Sequence, residues 1–269
     1  MSYPTAVLMG AIAGFTIFLG LPIAKLRGLP RGAQGFLNAA ATGILVFLLW
    51  DILAHAAEPV SASILPARTG GLGRLAGYGI VFMGGLALGL LALALFNSHL
   101  AGRRKAGADG SAAGLAPISP RNLSLAIATG LGLHNLSEGL AIGESAAAGS
   151  IAFALVLVIG FALHNITEGF GIAAPMAADR ETPSWGFLAL TGLVGGGPTF
   201  LGTAIGYVLR SPYLSIFFLT LAAGALIYVL SELFVVCRRL SSPAGMASGV
   251  LAGFMLAWGT DLYLSFVGT

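Results

Sequence analysis

Eight apolar stretches divide this chain, at roughly 5–24, 35–57, 75–98, 122–146, 151–176, 185–209, 213–236 and 245–267. A bilayer takes about 20 helical residues to cross, so each stretch suffices for one span. A helix satisfies its own backbone groups inside lipid, which makes it the natural form for segments of this length. Composition agrees: 57% of the residues are hydrophobic, 9% are charged and mean hydropathy is +0.93. Soluble domains carry about 25% charged residues. The fold expected is therefore an all-α polytopic membrane protein with eight transmembrane helices.

The 13 basic residues orient these spans. Ten of them (Lys25, Arg27, Arg31, Arg103, Arg104, Lys105, Arg121, Arg180, Arg238 and Arg239) follow the odd-numbered stretches, and only Arg68, Arg74 and Arg210 follow the even ones. By the positive-inside rule the first set is cytoplasmic and both termini are extracytoplasmic, in what reads as a bacterial-type plasma (inner) membrane. The pI of 9.3 follows from that topology. The basic residues form no patch with interleaved aromatics, so no nucleic-acid partner is expected. A single cysteine, Cys237, excludes an internal disulfide framework. No basic leader precedes the first apolar run, which predicts a retained helix rather than a cleaved signal peptide. Within the cytoplasmic linker 99–121, Ala106–Pro120 is a low-complexity run of small residues.

Two segments nearly repeat each other 30 residues apart: His134-Asn-Leu-Ser-Glu138-Gly and His164-Asn-Ile-Thr-Glu168-Gly. Together they hold half of the chain's four histidines, each pattern in the middle of an apolar stretch. In a helix, His134 and Glu138 share one face a turn apart, as do His164 and Glu168. The short turn near Ala147–Ser150 makes helices 4 and 5 antiparallel neighbours, so the two patterns meet at similar depth. Two imidazoles and two carboxylates are the ligand set of a divalent transition-metal site. Two carboxylates alone in low dielectric would repel, whereas one divalent ion brings the set to neutrality. A hydrogen-bonded polar cluster that only locks the two helices together is the plainer alternative, and the duplication argues against it.

The flanking helices repeat as well. Helix 2 (Gly43, Leu45, Leu49, Asp51) aligns without gaps to helix 7 (Gly224, Leu226, Leu230, Glu232) at an offset of 181 residues. Helix 1 (Gly10, Gly14, Gly20) aligns to helix 6 (Gly192, Gly196, Gly202) at 182. Helices 3 and 8 show no match. Copies five helices apart lie inverted across the membrane, a transporter signature with the substrate site near the midplane. The expected arrangement is 3+2+3: a first three-helix repeat (1–98), the linker (99–121), a central metal-binding pair (122–176) and an inverted three-helix repeat (185–269), all in a single transmembrane domain.

Other polar residues are candidates for a path to and from that centre. Asp51, His55 and Glu58 lie at i, i+4 and i+7 near the outer end of helix 2, and Glu232 lies toward the cytoplasmic end of helix 7. Glu144 is placed to line a vestibule, and Asp261 on helix 8 is ambiguous. His99 and the tryptophans Trp50, Trp185 and Trp258 read as interfacial or packing residues. Alternatives from other classes are a bis-histidine haem protein using His134 and His164, a membrane metalloenzyme and a proton-coupled organic-ion carrier. Against the enzyme stands the lack of a His-Glu-x-x-His pairing, and no enzymatic activity is expected.

A fourth helix with His-Asn-x-x-Glu-Gly, a fifth with a similar pattern, eight spans and outside termini resemble the ZIP (Zrt-, Irt-like) metal transporters. The resemblance implies a 3+2+3 fold and import of zinc, or of iron, cadmium, manganese or cobalt, into the cytoplasm. It carries His134, Glu138, His164 and Glu168 over as primary ligands, with Asn135 and Asn165 beside a second metal. It implies no prosthetic group; the metal is the transported substrate, the bilayer is the partner, and a homodimer is left open. Three departures stand out: Ser137 and Thr167 where the family's proline usually precedes the glutamate, Asn165 where relatives often have aspartate, and Gly197 before Pro198 where relatives often have glutamate. Two acids fewer predict one metal at the centre.

Overall fold

The computed structural model describes residues 1–26, 30–105, 119–177, 182–209 and 211–268, with side chains omitted at 96–105, 152–153, 264–265 and 267–268. Arg27, Arg180, Arg210 and the Ala106–Ile118 part of the expected linker lie outside the described residues, as do the side chains of His99, Arg103, Arg104 and Lys105. The described chain is helical with no strand. We number its long helices α1 (Tyr3–Lys25), α2 (Arg31–Ala62), α3 (Leu72–Lys105), α4 (Pro120–Ala147), α5 (Ile151–Ala177), α6 (Trp185–Val208), α7 (Pro212–Leu240) and α8 (Pro243–Gly268). Within α1 the α-helix is interrupted at Thr16 and ends in a 3₁₀ segment, Leu21–Lys25. Ser119 and Ser184 cap α4 and α6, accepting from the backbone N–H groups of Asn122 and Phe187.

Several helices outrun the apolar stretches that announced them. Hydropathy marks the hydrocarbon depth, but helical hydrogen bonds hold equally well in the polar interface. Arg31, Arg74, Arg121, Arg238 and Arg239 consequently sit in terminal helical turns rather than in loops. Arg238 and Arg239, in the last turn of α7, face the favourable end of its dipole. The turn between α4 and α5 is as short as expected, closed by Gly149 at φ 82°.

Five stretches among the described residues are long and apolar enough to cross a membrane: Tyr3–Lys25, Arg31–Leu95, Ala154–Ala177, Trp185–Val208 and Pro212–Leu240. The second holds α2 and most of α3, joined through short helical turns. α4 is missing because its middle is given over to His134, Asn135, Ser137 and Glu138. Large apolar side chains cover the outside, among them Leu8, Ile12, Ile80, Met83, Leu193, Leu251 and Met255. A surface so apolar suits lipid.

The helix contacts follow a pattern of exchange. α3 lies against α7 as α8 lies against α2; α4 lies against α6 as α5 lies against α1; α4 meets α7 as α5 meets α2. The pairs α1–α6, α2–α7 and α4–α5 each touch directly. Swapping α1 with α6, α2 with α7, α3 with α8 and α4 with α5 leaves these contacts unchanged. Close backbone approaches repeat at the same places. A Cβ on Gly43 of α2 would strike the Val250 carbonyl of α8, and one on Gly224 of α7 would strike the Leu86 carbonyl of α3. Gly89 sits against the Leu221 carbonyl as Gly253 sits against that of Ala40. These pairs match α3 to α8 at an offset of 164 residues. The shorter α7–α8 connection shifts this register away from the 181 of the neighbouring helices, which is why the sequence comparison missed it.

One apolar core fills one end of the bundle from Leu45 and Leu48 (α2), Ile127 and Leu131 (α4), Ile172 (α5) and Leu226 to Leu233 (α7). The duplicated motif sits at its edge.

Candidate metal centre

The helical spacing places each histidine over its glutamate. His134 Nε2 lies 3.3 Å from Glu138 Oε1, and His164 Nε2 lies 3.8 Å from Glu168 Oε1. Glycines let neighbouring backbones close in behind both pairs. A Cβ on Gly139 would strike the Thr199 carbonyl of α6, and one on Gly169 the Ile17 carbonyl of α1. The two imidazoles face each other with ring centroids 6.1 Å apart at 63°. His134, Glu138 and His164 each offer a ligand atom within 4.8 Å of the others. Tetrahedral ligands at about 2.0–2.2 Å from zinc stand about 3.4 Å apart, so the trio needs only a small contraction to close on one ion.

The histidines, asparagines and glutamates of both motifs are buried: His134 (4% exposed), Glu138 (5%), His164 (8%), and Asn135, Asn165 and Glu168 (0%). Glu168 stands at the edge of the trio. Its Oε2 accepts from Asn135 Nδ2 at 2.7 Å, and the same amide donates to the Gly195 carbonyl at 3.0 Å. Asn165 Nδ2 donates to the Ala13 carbonyl of α1 at 3.0 Å. Both amides thus donate to neighbours and leave their oxygens, Asn135 Oδ1 and Asn165 Oδ1, without a partner.

Unmet polarity is concentrated here. Of 11 buried side-chain nitrogen and oxygen atoms lacking a hydrogen bond among the described residues, eight belong to residues 134–138 and 164–168. They include both ring nitrogens of His134, His164 Nε2, Glu138 Oε2 and Glu168 Oε1. A buried polar group left unpaired costs about 1–3 kcal/mol. A cation would satisfy several at once, and with two ionised glutamates it would neutralise the site.

A cavity of about 220 Å³ opens on one side of the trio. His134, Ser137, Glu138 and Glu144 of α4 line it, with Asp51 and His55 of α2; Phe161, Ser215 and Leu219 complete the wall. Ile52 of the apolar core lines it as well, with Leu219 packed against that core. Glu58 is exposed, Glu232 and Asp261 are half-buried, and none of the three lines this cavity. Glu144 does line it, as a vestibule residue would.

Ser137 and Thr167 behave differently although they occupy one motif position. Thr167 Oγ1 bonds back to the His164 carbonyl at 2.7 Å, while Ser137 Oγ has no partner and lines the cavity. Ser137 is a lining group that the motif's metal-ligand pattern does not announce. Its signal was present: Ser137, Ala141 and Glu144 stand at i, i+4 and i+7. Gly197 stands where relatives often carry an acid. A Cβ there would meet nothing within 4 Å, and what α6 brings to the site is the Gly195 carbonyl. Neither a family model nor a curated protein matches the chain.

Proposed function

We propose that this chain is a divalent transition-metal transporter of the kind its motif resembles, the ZIP type, with zinc or a related ion as cargo. The observation that carries the reading is the convergence of His134, Glu138 and His164 within 4.8 Å, buried and short of hydrogen-bond partners, beside a cavity that His134 and Glu138 line. Glu168, Asn135 and Asn165 support the trio from its rim. A buried polar centre within the helix bundle, reached through a cavity, suits a carrier that exposes its cargo to each face in turn.

The contact pattern supports eight spans in a 3+2+3 order, α1–α3 and α6–α8 being inverted repeats around α4 and α5. The basic residues support an extracytoplasmic cavity, because it lies toward the α4–α5 turn, away from Arg121, Arg238 and Arg239. A haem between His134 and His164 is disfavoured by geometry: each Nε2 faces a carboxylate, and the rings meet edge to face. Uptake of radiolabelled zinc into proteoliposomes, with unlabelled cobalt, manganese, cadmium and iron(II) as competitors, tests the proposal. Uptake that saturates and needs Glu138 supports it; no uptake above protein-free liposomes overturns it.

A further inference from the structure

The cavity carries a second set of metal-ligating side chains, set apart from the centre at its floor. Asp51 and His55 lie one turn apart on α2, and Glu144 lines the same space from α4. His55 Nδ1 is 3.0 Å from the Asp51 carbonyl oxygen and 3.3 Å from Asp51 Oδ1. With its Nδ1 hydrogen directed at Asp51, the imidazole would offer Nε2 to a cation on release of the Nε2 proton, the arrangement in which a carboxylate orients a metal-binding histidine. The cavity leads from this pair to His134 and Glu138, which are at least nine-tenths buried and whose ring nitrogens and Oε2 lack partners.

We propose that Asp51 and His55, together with Glu144, form an outer site that captures a hydrated divalent cation and hands it inward to the central trio. The inference rests on the central cluster being the metal centre that this cavity serves. Among the described residues only the central trio converges within 4.8 Å, so the outer residues leave most coordination positions to water. The cavity, at about 220 Å³, has room for several waters at about 30 Å³ each. Nitrogen and oxygen donors with retained water suit Zn²⁺, Co²⁺, Mn²⁺ and Cd²⁺, held weakly enough to move on.

The repeat makes this site one-sided. At an offset of 181 residues Asp51 corresponds to Glu232 and His55 to Val236; at the 30-residue offset of the central pair Glu144 corresponds to Ala174. The opposite mouth keeps one acid and lacks both the imidazole and the second carboxylate. Capture is therefore built into one face of an otherwise repeated frame.

Equilibrium dialysis of the purified full-length protein against Co²⁺ tests the outer site. Wild type should bind one ion tightly and one more weakly. Asp51→Asn/His55→Ala should lose the weak ion alone, and its uptake should show KM raised about tenfold with kcat unchanged, in the range seen when a metal's supporting groups are removed. His134→Ala/His164→Ala should keep the weak ion alone. Full wild-type binding and KM in Asp51→Asn/His55→Ala would overturn the proposal. A tight ion that survives His134→Ala/His164→Ala would overturn the central assignment instead, and the outer site would still be decided by the first pair of proteins. Should that central double variant fail to fold, Cys237→Ala/His55→Cys protein gives a second reading. Cd²⁺ should slow alkylation at position 55, and adding Asp51→Asn should remove the protection; equal rates with and without Cd²⁺ would count against the site.

Discussion

The same six-residue pattern stands on α4 and on α5, and the two copies meet different surroundings. On α4, His134, Ser137 and Glu138 line the cavity, and the Ser137 hydroxyl and Glu138 Oε2 have no partner. On α5 the polar groups are largely tied down. Thr167 bonds back to the His164 carbonyl, Asn165 holds the Ala13 carbonyl, and Glu168 Oε2 is held by Asn135. Identical spacing has produced one half that faces the cavity and one half that is fixed against its neighbours. The burial behind each copy explains the difference. α5 presses on α1 and α2, whereas the cavity end of α4 borders open space.

Four substitutions and one titration sharpen or break this contrast. Glu138→Gln should have the largest effect, cutting uptake about 100-fold or more, since even supporting groups of a metal cost about 10–100-fold when lost. The protein should remain folded by size-exclusion chromatography, because a buried acid gives way to a near-isostere. Glu168→Gln should cost about tenfold, the amide oxygen still accepting from Asn135 and holding its place. Equal losses at Glu138 and Glu168 would show that the two copies are equivalent after all.

Proton competition follows from the ligand set. Imidazole and carboxylate must be deprotonated to bind a metal, so affinity falls as pH falls, by about tenfold per unit where one proton is displaced per ion. Dialysis against Co²⁺ from about pH 5 to 7.5, the range in which histidine titrates, measures this. An affinity flat across that range would deny the coupling. The smallest difference separates Ser137→Ala, expected to slow uptake about two- to threefold through loss of one cavity hydroxyl, from Thr167→Ala, expected to leave it unchanged. A larger effect at Thr167 than at Ser137 would reverse the roles given to the two helices.

Much of this was legible in the residues. Helical class followed from apolar runs, and the motif from a duplication that needs no structure to see. The pairing of α4 with α5 followed from the turn at Gly149. The match of α3 to α8 was not legible, because a shorter connection moves its register and only the close approaches at Gly89 and Gly253 reveal it. The standing of Glu168 apart from the trio was equally hidden: spacing puts it on the right face, but the Asn135 amide that holds it comes from another helix.

X-ray absorption at the metal edge of the zinc-loaded protein tests most directly whether the duplicated pattern makes one centre. The account predicts two imidazoles and carboxylate oxygen around each tightly bound ion at about 2.0–2.2 Å, with either His134→Ala or His164→Ala removing one imidazole. A spectrum unchanged by both substitutions would contradict it.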